Sequence, residues 1–282
     1  MKRDSILVAD SGSSKTDWGI VGSSALVKTL GINPFHQDDD AILSILRNEL
    51  LPQLPVADNP SSVNAVHFYG SGVLTEQESR MERLLREVFP QADTIEAKSD
   101  MLGAARALCG NIEGLACILG TGANSCLYDG NCIVANTPAL GYILGDEGSG
   151  AVLGRMFLNA LYKGRLYAEA RQEFEQHFSM TMTDVITRVY RMPMANRWLA
   201  SLSEFIHDHL QYPAVYDIVV ANFRDFIRHN VNAYQRRDLP LSAVGSIAFF
   251  YREQLEQAAK EEGYALGKIL RSPIDGLLSL AY

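Results

Sequence analysis

The stretch Ser5–Val21, with the sequence SILVADSGSSKTDWGIV, places small and polar residues between two apolar segments. Ser5–Ala9 predicts a buried strand, because it is a short apolar run bounded by a turn signal. Asp17–Val21 predicts a second strand, and the segment Asp10–Ser14 between them has the composition of a turn. The stretch therefore predicts a β-hairpin, and Ala25–Leu30 predicts a third strand after it.

The turn is followed by Lys15-Thr16, the pair with which a P-loop ends, but the rest of that motif is missing. Ser14 stands where a P-loop has a glycine, Ala9 stands where its first glycine belongs, and a strand rather than a helix follows. Two interpretations of the turn remain open. It is a plain β-turn with Asp10 as its capping acid, or its backbone N–H groups bind phosphate while Asp10 holds Mg²⁺ through water.

The same pattern recurs farther along the chain. Leu115–Leu119 predicts a strand, Gly120–Asn124 a small-residue turn, and Ser125–Tyr128 a second strand. Each half of the chain thus opens with strand, turn and strand, which is the self-similarity expected of duplicated lobes. Two such turns could bind a polyphosphate from both sides, and the clearest boundary between the halves lies at Gly110–Gly114.

Apolar spacing predicts the remaining elements. In the first half it predicts helices and strands at Asp38–Leu51, Val63–Tyr69, Thr75–Phe89, Asp93–Ala97 and Ser99–Cys109. From Gly148 onward the chain is predicted to be mainly helical. The exceptions are short strands at Leu241–Val244 and Ala265–Leu270, which precede a terminal helix at Pro273–Leu280.

Polar residues outside the turns are further candidates for binding or catalysis. Asp146 and Glu147 lie in the glycine-rich segment Gly141–Gly150, where carboxylates can accept hydrogen bonds from a polyol or simply favour the start of the next helix. Asn33 precedes a proline and either presents its amide to a ligand or shapes a turn. Asp100 is either an acid in the first turn of a helix or a general base for phosphoryl transfer.

The composition limits the classes of function. The chain has 282 residues and a formal net charge of −8, which argues against non-specific binding to nucleic acid because that requires a positive surface. The longest stretch without Asp, Glu, Lys or Arg, Asn59–Thr75, is rich in Pro, Ser and Gly, so we expect no transmembrane helix. A membrane is not among the expected partners. No signal-peptide pattern is recognisable, and the cytoplasm is the expected location. The four cysteines form no C-x-x-C pair and are expected to be buried, reduced thiols.

Taken together, these motifs resemble those of the superfamily of sugar kinases, actin and heat-shock chaperone ATPases. Within it, the chain is similar over nearly its whole length to the N-acetylglucosamine kinase-like branch of the BadF/BadG/BcrA/BcrD ATPase family. The resemblance rests on the segments Asp10–Trp18, Ser99-Asp100, Ile118–Ser125, Gly145–Gly150 and Val244–Ala248. The first, third and fourth of these segments in this order are specific, whereas any one of them alone is not.

The resemblance implies an α/β fold of two ribonuclease-H-like, actin-like ATPase lobes, each with a mixed sheet flanked by helices. The N-terminal lobe would comprise residues 1–112, with the C-terminal helix 273–282 packing back on it. The C-terminal lobe would comprise residues 113–272 and include a helical insertion. ATP and Mg²⁺ would bind between the lobes, and the protein would be a homodimer.

The resemblance also implies a role for each motif. Asp100 would be the base that activates the 6-hydroxyl of an amino sugar, with N-acetylglucosamine as the first candidate, and Asp10 would place the metal. The phosphates would be bound by Gly12, Ser13, Ser14, Lys15, Thr16, Gly120, Thr121 and Gly122. Gly245 and Ser246 would border adenine. The sugar would be contacted by Asn33, Asn124 and Asp146, with Glu147 close by.

Two alternative functions stay open at this point. The chain could be an activator ATPase of an acyl-CoA dehydratase or reductase, a class that carries an iron–sulfur cluster between two subunits. It could also be a non-catalytic sugar sensor built on a kinase fold. The complete set of acids at Asp10, Asp100 and Asp146 favours an active enzyme over the sensor.

Overall fold

Two five-stranded sheets, each mixing parallel and antiparallel strands and each flanked by helices, form the framework of the chain. The computed structural model describes residues 5–12, 14–54, 62–280 and 282. The chain divides into two compact units. Unit 1 ends at Asn111 and is completed by Gly130–Cys132 and Ser272–Tyr282, and unit 2 comprises Ile112–Asp129 and Ile133–Arg271. The predicted fold class, two α/β lobes with mixed sheets, is confirmed.

The sheet of unit 1 is built from five strands. They are β1 (Ser5–Ser11), β2 (Lys15–Ile20), β3 (Leu26–Leu30), β4 (Val63–Gly70) and β5 (Thr94–Ser99). Their order in the sheet is β3-β2-β1-β4-β5. β2 runs antiparallel to its neighbours β1 and β3, and β4 and β5 run parallel to β1.

The predicted hairpin at the start of the chain is confirmed, but its strands extend farther into the turn than the sequence predicted. Asp10 and Ser11 continue β1, so that Asp10 lies opposite Asp17 and Ser11 lies opposite Thr16. Polar residues can remain in these strands because their side chains find partners inside unit 1. The Ser11 hydroxyl lies 2.7 Å from Thr16 Oγ1 and donates to the Ile32 carbonyl at 2.9 Å.

Three helices follow in unit 1: α1 (Asp39–Ser44), α2 (Thr75–Val88) and α3 (Asp100–Cys109). The predicted helix Asp38–Leu51 is α-helical only over α1. It continues as a π-helical turn over Ile45–Leu50 and a 3-10 turn over Leu51–Gln53. Asp38 caps α1, since its Oδ1 accepts the N–H of Ala41 at 2.9 Å.

A polar network fixes α3 to the sheet of unit 1. Arg106 of α3 donates to Glu96 of β5 and to the Tyr69 hydroxyl, both at 2.8 Å. His67 Nδ1 lies 3.1 Å from the same carboxylate oxygen of Glu96. Burial opposes the charged carboxylate, but the hydrogen bonds from His67 and Arg106 outweigh it and lower the pKa of Glu96 to about 2. This network therefore helps to place Asp100, the first residue of α3.

The sheet of unit 2 repeats the arrangement of unit 1. Its strands are β6 (Gly114–Leu119), β7 (Ala123–Tyr128), β8 (Ile133–Thr137), β9 (Leu241–Val244) and β10 (Leu266–Leu270). Their order is β8-β7-β6-β9-β10, with the first three antiparallel and the last two parallel to β6. The repetition indicated by the two turns thus extends to the whole sheet.

The rest of unit 2 is mainly helical, as predicted. Its helices are α4 (Gly141–Leu144), α5 (Gly150–Tyr162), α6 (Ala170–Phe178), α7 (Met182–Tyr190), α8 (Ala195–Ser201), α9 (Ser203–His207), α10 (Pro213–His229), α11 (Ser246–Phe250) and α12 (Arg252–Glu261). The last helix, α13 (Pro273–Leu277), belongs to unit 1, packs against α3 and β1, and is shorter than predicted. None of the helices that the structure describes is long and apolar enough to cross a membrane.

The cysteines correct one expectation. Cys117 and Cys126 are buried in neighbouring strands of unit 2, as predicted, and Cys109 is half-buried at the end of α3. Cys132 is exposed, because it lies in the turn between β7 and β8 rather than inside a strand.

We expect acid to destabilise the protein through Glu96. Its folded-state pKa of about 2 lies below the ordinary value of 4.5. The carboxylate therefore contributes its full stabilisation above that ordinary value and loses it as the pH falls towards 2. Glu96→Gln should lower the free energy of unfolding at neutral pH by on the order of 2 kcal/mol and flatten its pH dependence in this window.

Urea unfolding at a series of pH values measures this effect. Glu87→Gln is the control, because Glu87 forms only exposed ion pairs with Arg47 and Arg83. A wild-type protein whose stability fell no faster over this pH range than that of Glu96→Gln would contradict the prediction.

Candidate functional site

In the turn between β1 and β2, the Gly12 N–H donates to the Lys15 carbonyl at 3.0 Å. Ser14 is exposed in this turn. Ser13, a predicted phosphate ligand, lies outside the described residues. The Lys15 side chain is 60% exposed, and its Nζ lies 2.5 Å from Asp17 Oδ2. An accessible cation and exposed backbone thus lie at the tip of the hairpin.

Thr16 has a different position from the other residues predicted to bind phosphate. Its side chain is buried, and its hydroxyl donates to the Leu30 carbonyl at 3.1 Å and contacts the Ser11 hydroxyl. These bonds use the hydroxyl inside unit 1, so the side chain of Thr16 does not contribute to the surface of the turn.

Asp10, beside this turn, is influenced by two other carboxylates of unit 1. Asp10 lies directly opposite Asp17 in the antiparallel pair, where facing side chains share one side of the sheet. Burial, followed by the negative charges of Asp100 and Asp17, raises the pKa of Asp10 to about 7. Burial also raises the pKa of Asp100. The negative charge of this group is therefore poorly compensated by the protein itself.

Asp17 shows most clearly that this charge could accept a cation. The residue is 3% exposed, and its Oδ1 is buried with no hydrogen-bond partner among the described residues. Carboxylate oxygens suit Mg²⁺, which keeps several waters and uses one or two protein carboxylates together with substrate phosphates. Within the described ranges, no group of three or more His, Cys, Asp or Glu side chains could bind a metal by itself. The donors fit a metal shared with phosphate.

Asp100 begins α3, where Ser99 caps the helix by accepting the N–H of Leu102 at 3.3 Å. The Met101 N–H donates to Asp100 Oδ1 at 2.8 Å. Both interpretations of Asp100 are compatible with this position. An acid favours the first turn of a helix, and a partly buried carboxylate with a raised pKa is suited to accept a proton.

Asn33 lies in the turn between β3 and α1. Its Oδ1 accepts the Phe35 N–H at 3.0 Å, and its own backbone N–H donates to Gln37 Oε1 at 2.7 Å. Gly72 lies against this side chain, since a Cβ there would come within 2.1 Å of Asn33 Oδ1. The amide nitrogen of Asn33 makes no hydrogen bond to the part of the chain that the structure describes, so it is a donor that a ligand could use.

The first turn of unit 2, Gly120–Gly122, is closed by a backbone hydrogen bond of 3.0 Å between its two glycines. The start of α5 is bonded to the same turn. The Gly150 N–H donates to the Gly120 carbonyl at 2.8 Å, and the Ala151 N–H donates to the Thr121 carbonyl at 3.2 Å. These bonds fix the backbone of the turn to the helix.

Asp146 joins this turn to the loop before α5. Its backbone N–H donates to the Ala139 carbonyl at 3.0 Å, its carbonyl accepts the Ser149 N–H at 3.0 Å, and its backbone is left-handed with a φ of 55°. Burial is the main cause of its raised pKa. Gly122 lies close to the carboxylate, because a Cβ there would be 3.0 Å from Oδ2. Asp146 therefore supports the turn, whatever it contributes to a ligand.

The other two predicted sugar ligands of unit 2 also have partners in the protein. Asn124 Oδ1 accepts from the Ser125 N–H and from Asn136 Nδ2, both at 2.9 Å. Glu147 Oε1 lies 3.2 Å from His229 Nδ1. A ligand at these side chains would have to share or replace existing hydrogen bonds.

Asn222 of α10 was not predicted, although it supports the same loop. It is fully buried; its Oδ1 accepts the Gly148 N–H at 2.9 Å, and its Nδ2 donates to the Ser149 carbonyl at 3.2 Å. An asparagine within the apolar run Val219–Phe223 is the signal that could have indicated it, because a buried amide needs hydrogen-bond partners.

Gly245 follows β9 and has a φ of 122°, which side chains rarely tolerate. A Cβ at this position would lie 2.3 Å from the Leu119 carbonyl oxygen and 3.3 Å from the Gly120 nitrogen. Ser246 is exposed as the first residue of α11. Two predicted nucleotide-binding segments of unit 2 are thus neighbours at the carboxyl ends of adjacent parallel strands, a common position for ligands in α/β sheets.

The chain matches no protein-family model and no curated protein, but it is similar to solved structures. One, named "Putative N-acetylglucosamine Kinase" and from Porphyromonas gingivalis, is 50% identical over 97% of both chains, with a TM-score of 0.92. Another of the same name, from Chromobacterium violaceum, is 17% identical over 99% of both chains, with a TM-score of 0.72. MreB 5 of Spiroplasma citri bound to AMPPNP is 11% identical over 97% of this chain and 92% of that chain, with a TM-score of 0.56. The similarity to the last two structures shows that they share the fold of this chain.

Gly122→Ala tests the contact between the turn and Asp146. A Cβ at Gly122 would lie 3.0 Å from Asp146 Oδ2, so the carboxylate would have to shift, and we expect the free energy of unfolding to fall by about 1–2 kcal/mol. Gly120→Ala is the matched control, because a Cβ there meets nothing within 4 Å. It should stay within about 0.5 kcal/mol of the wild type. Chemical denaturation measures both variants, and equal stabilities would show that the contact is unimportant.

Proposed function

The chain belongs to the superfamily of sugar kinases and actin-like ATPases, and on that basis we propose that it phosphorylates an amino sugar with ATP. The proposed substrate is N-acetylglucosamine, the proposed product is its 6-phosphate, and the proposed branch is the N-acetylglucosamine kinase-like one of the BadF/BadG/BcrA/BcrD family. The similarity to the Porphyromonas gingivalis protein supports this choice. The observation that carries the proposal is Asp100, an acid with a raised pKa in the same unit as Asp10 and the first turn.

Asp100 is the proposed general base. In this reaction the sugar hydroxyl attacks the γ-phosphate of ATP, and Asp100 accepts the hydroxyl proton. Burial raises the pKa of Asp100, so its carboxylate binds a proton more readily than an exposed aspartate does. The cap at Ser99 and the network around Arg106 keep α3, and with it Asp100, in position.

The two turns are the proposed phosphate-binding segments. In unit 1 the segment Gly12–Thr16 would contribute backbone N–H groups, and Lys15 would add a positive charge. In unit 2 the segment Gly120–Gly122 would bind phosphate through the N–H groups of Thr121 and Gly122, because the Gly120 N–H already closes the turn, while Gly245 and Ser246 would border adenine. The bonds from α5 to the second turn support this role, because they leave its backbone in one fixed conformation.

Asp10 would hold Mg²⁺, with Asp17 as a second carboxylate nearby. The ion would neutralise negative charge on the phosphates of ATP. The unpartnered oxygen of Asp17 and the opposed position of Asp10 support this assignment. The proposal also includes a homodimer, which analytical ultracentrifugation of the purified protein would measure.

Asn33, Asn124, Asp146 and Glu147 are the proposed sugar contacts. The amide nitrogen of Asn33 is the strongest of these assignments, because it has no partner in the described part of unit 1. Asp146 would combine a contact to the sugar with its role in holding the second turn.

Asp100→Asn tests the proposed chemistry. Because the amide cannot accept the proton, we expect kcat to fall by about 1,000-fold, while ATP affinity changes little. ADP release with ATP and Mg²⁺ across a panel of hexoses and amino sugars measures kcat, and equilibrium dialysis measures ATP binding. Asp93→Asn, in the exposed segment before β5, is the control and should retain wild-type turnover.

Other results would favour other functions. A rate of ADP release that is the same with and without each sugar would favour the activator ATPase. Sugar binding without any turnover would favour the sensor.

Asp10→Asn tests the metal site. Loss of the carboxylate should raise the Mg²⁺ concentration needed for half-maximal ADP release by about tenfold or more, because one direct or water-mediated ligand is removed. Titration of Mg²⁺ at fixed ATP and sugar measures this shift, with Asp93→Asn again as the control. An unchanged Mg²⁺ requirement would remove Asp10 from the metal site.

A further inference from the structure

Arg80 of α2 reaches the turn that carries Asn33. Its Nη1 donates to the Pro34 carbonyl at 2.5 Å, its Nη2 to the Gln37 carbonyl at 2.8 Å, and its Nε to Asp39 Oδ1 at 2.7 Å. The side chain is only 26% exposed, so water competes weakly for these bonds. One guanidinium group thus binds two carbonyls of the turn and the first residue of α1.

The turn also has hydrogen bonds of its own, among them the one from the Phe35 N–H to Asn33 Oδ1. The His36 and Gln37 N–H groups both donate to the Asn33 carbonyl at 3.0 Å. The Gln37 side chain accepts the Asn33 N–H at 2.7 Å and donates to the Gly31 carbonyl at 3.1 Å. Gln37 therefore holds the backbone of Asn33, and Arg80 holds the backbone of Gln37. A guanidinium is suited to this task, because its planar donors bind several acceptors in fixed directions.

We infer that Arg80 is a positioning residue for sugar recognition. By binding the carbonyls of Pro34 and Gln37, it holds the turn in the conformation in which the Phe35 N–H bonds Asn33 Oδ1 and the amide nitrogen of Asn33 stays unpartnered among the described residues. Arg80 acts through the turn and does not itself contact the sugar. This inference rests on the proposed function, because it takes Asn33 to be a sugar ligand.

A purely structural role for Arg80 would be to join α1 to α2. Arg83 on the same helix provides the comparison, because its Nη2 donates to the other oxygen of Asp39 at 2.7 Å. Arg83 is 55% exposed, and its remaining bond is to Glu87 at 3.4 Å. It shares the ion pair with Asp39 but does not bind the carbonyls of the turn. A comparison of variants at the two arginines can therefore distinguish the anchoring of α1 from the positioning of Asn33.

Steady-state kinetics of Arg80→Ala, Arg80→Lys and Arg83→Ala with N-acetylglucosamine and ATP test the inference. Arg80→Ala should raise the KM for the sugar about tenfold or more, and leave kcat and the KM for ATP within about twofold of the wild type. Arg80→Lys should restore part of the affinity, since an ammonium group can replace only some of the bonds. Arg83→Ala should retain wild-type constants.

The outcomes separate the inference from the proposed function. Suppose that the wild type is active. If the sugar KM of Arg80→Ala then equals that of the wild type, or if Arg83→Ala raises the sugar KM equally, the role of Arg80 is overturned while the proposed kinase stands. A wild type without any sugar-dependent ADP release removes the proposed kinase and this role together. Thermal unfolding shows whether each variant is folded. If Arg80→Ala is not folded, Arg80→Lys decides, and it must then raise the sugar KM severalfold over Arg83→Ala.

Discussion

The site in unit 1 is governed by the cost of keeping carboxylates away from water. Asp17 is buried with one oxygen unpartnered among the described residues, and Asp10 lies directly opposite it. An ionised carboxylate in such surroundings is unfavourable, and a second one nearby adds repulsion. Lys15 offsets part of this charge from the tip of the hairpin. A cation bound beside Asp10 would offset more of this negative charge, so the surroundings of this turn favour a positively charged ligand.

The two sheets share one strand order, yet their first turns have different chemistry. The turn of unit 1 is surrounded by charged groups, namely Lys15 and the carboxylates of Asp10 and Asp17. The turn of unit 2 has glycines and a backbone bonded to the start of α5, with the Asp146 carboxylate close to Gly122. One copy of the repeated hairpin thus carries charged side chains, and the other carries a turn whose backbone is bonded to a helix.

The sequence was most informative where a single segment determines the structure. The apolar runs predicted the strands on either side of each turn, and the repetition of that pattern predicted the second sheet. Features that need a partner distant in sequence were not predicted. Thr16 turns inward because its hydroxyl donates to the Leu30 carbonyl of another strand, and Asn222 and Arg80 serve loops far from them in the chain. No local pattern records these partners.

The two hydrogen bonds of Asn222 connect the register of a long helix to the loop before α5. Residues of an α-helix are separated by about 100° around its axis, so inserting or deleting one residue in α10 before Asn222 would turn the amide away from that loop. The chain before Pro213 has no such constraint from this amide. Related proteins that keep this asparagine should therefore keep the number of residues from the start of α10 to it constant.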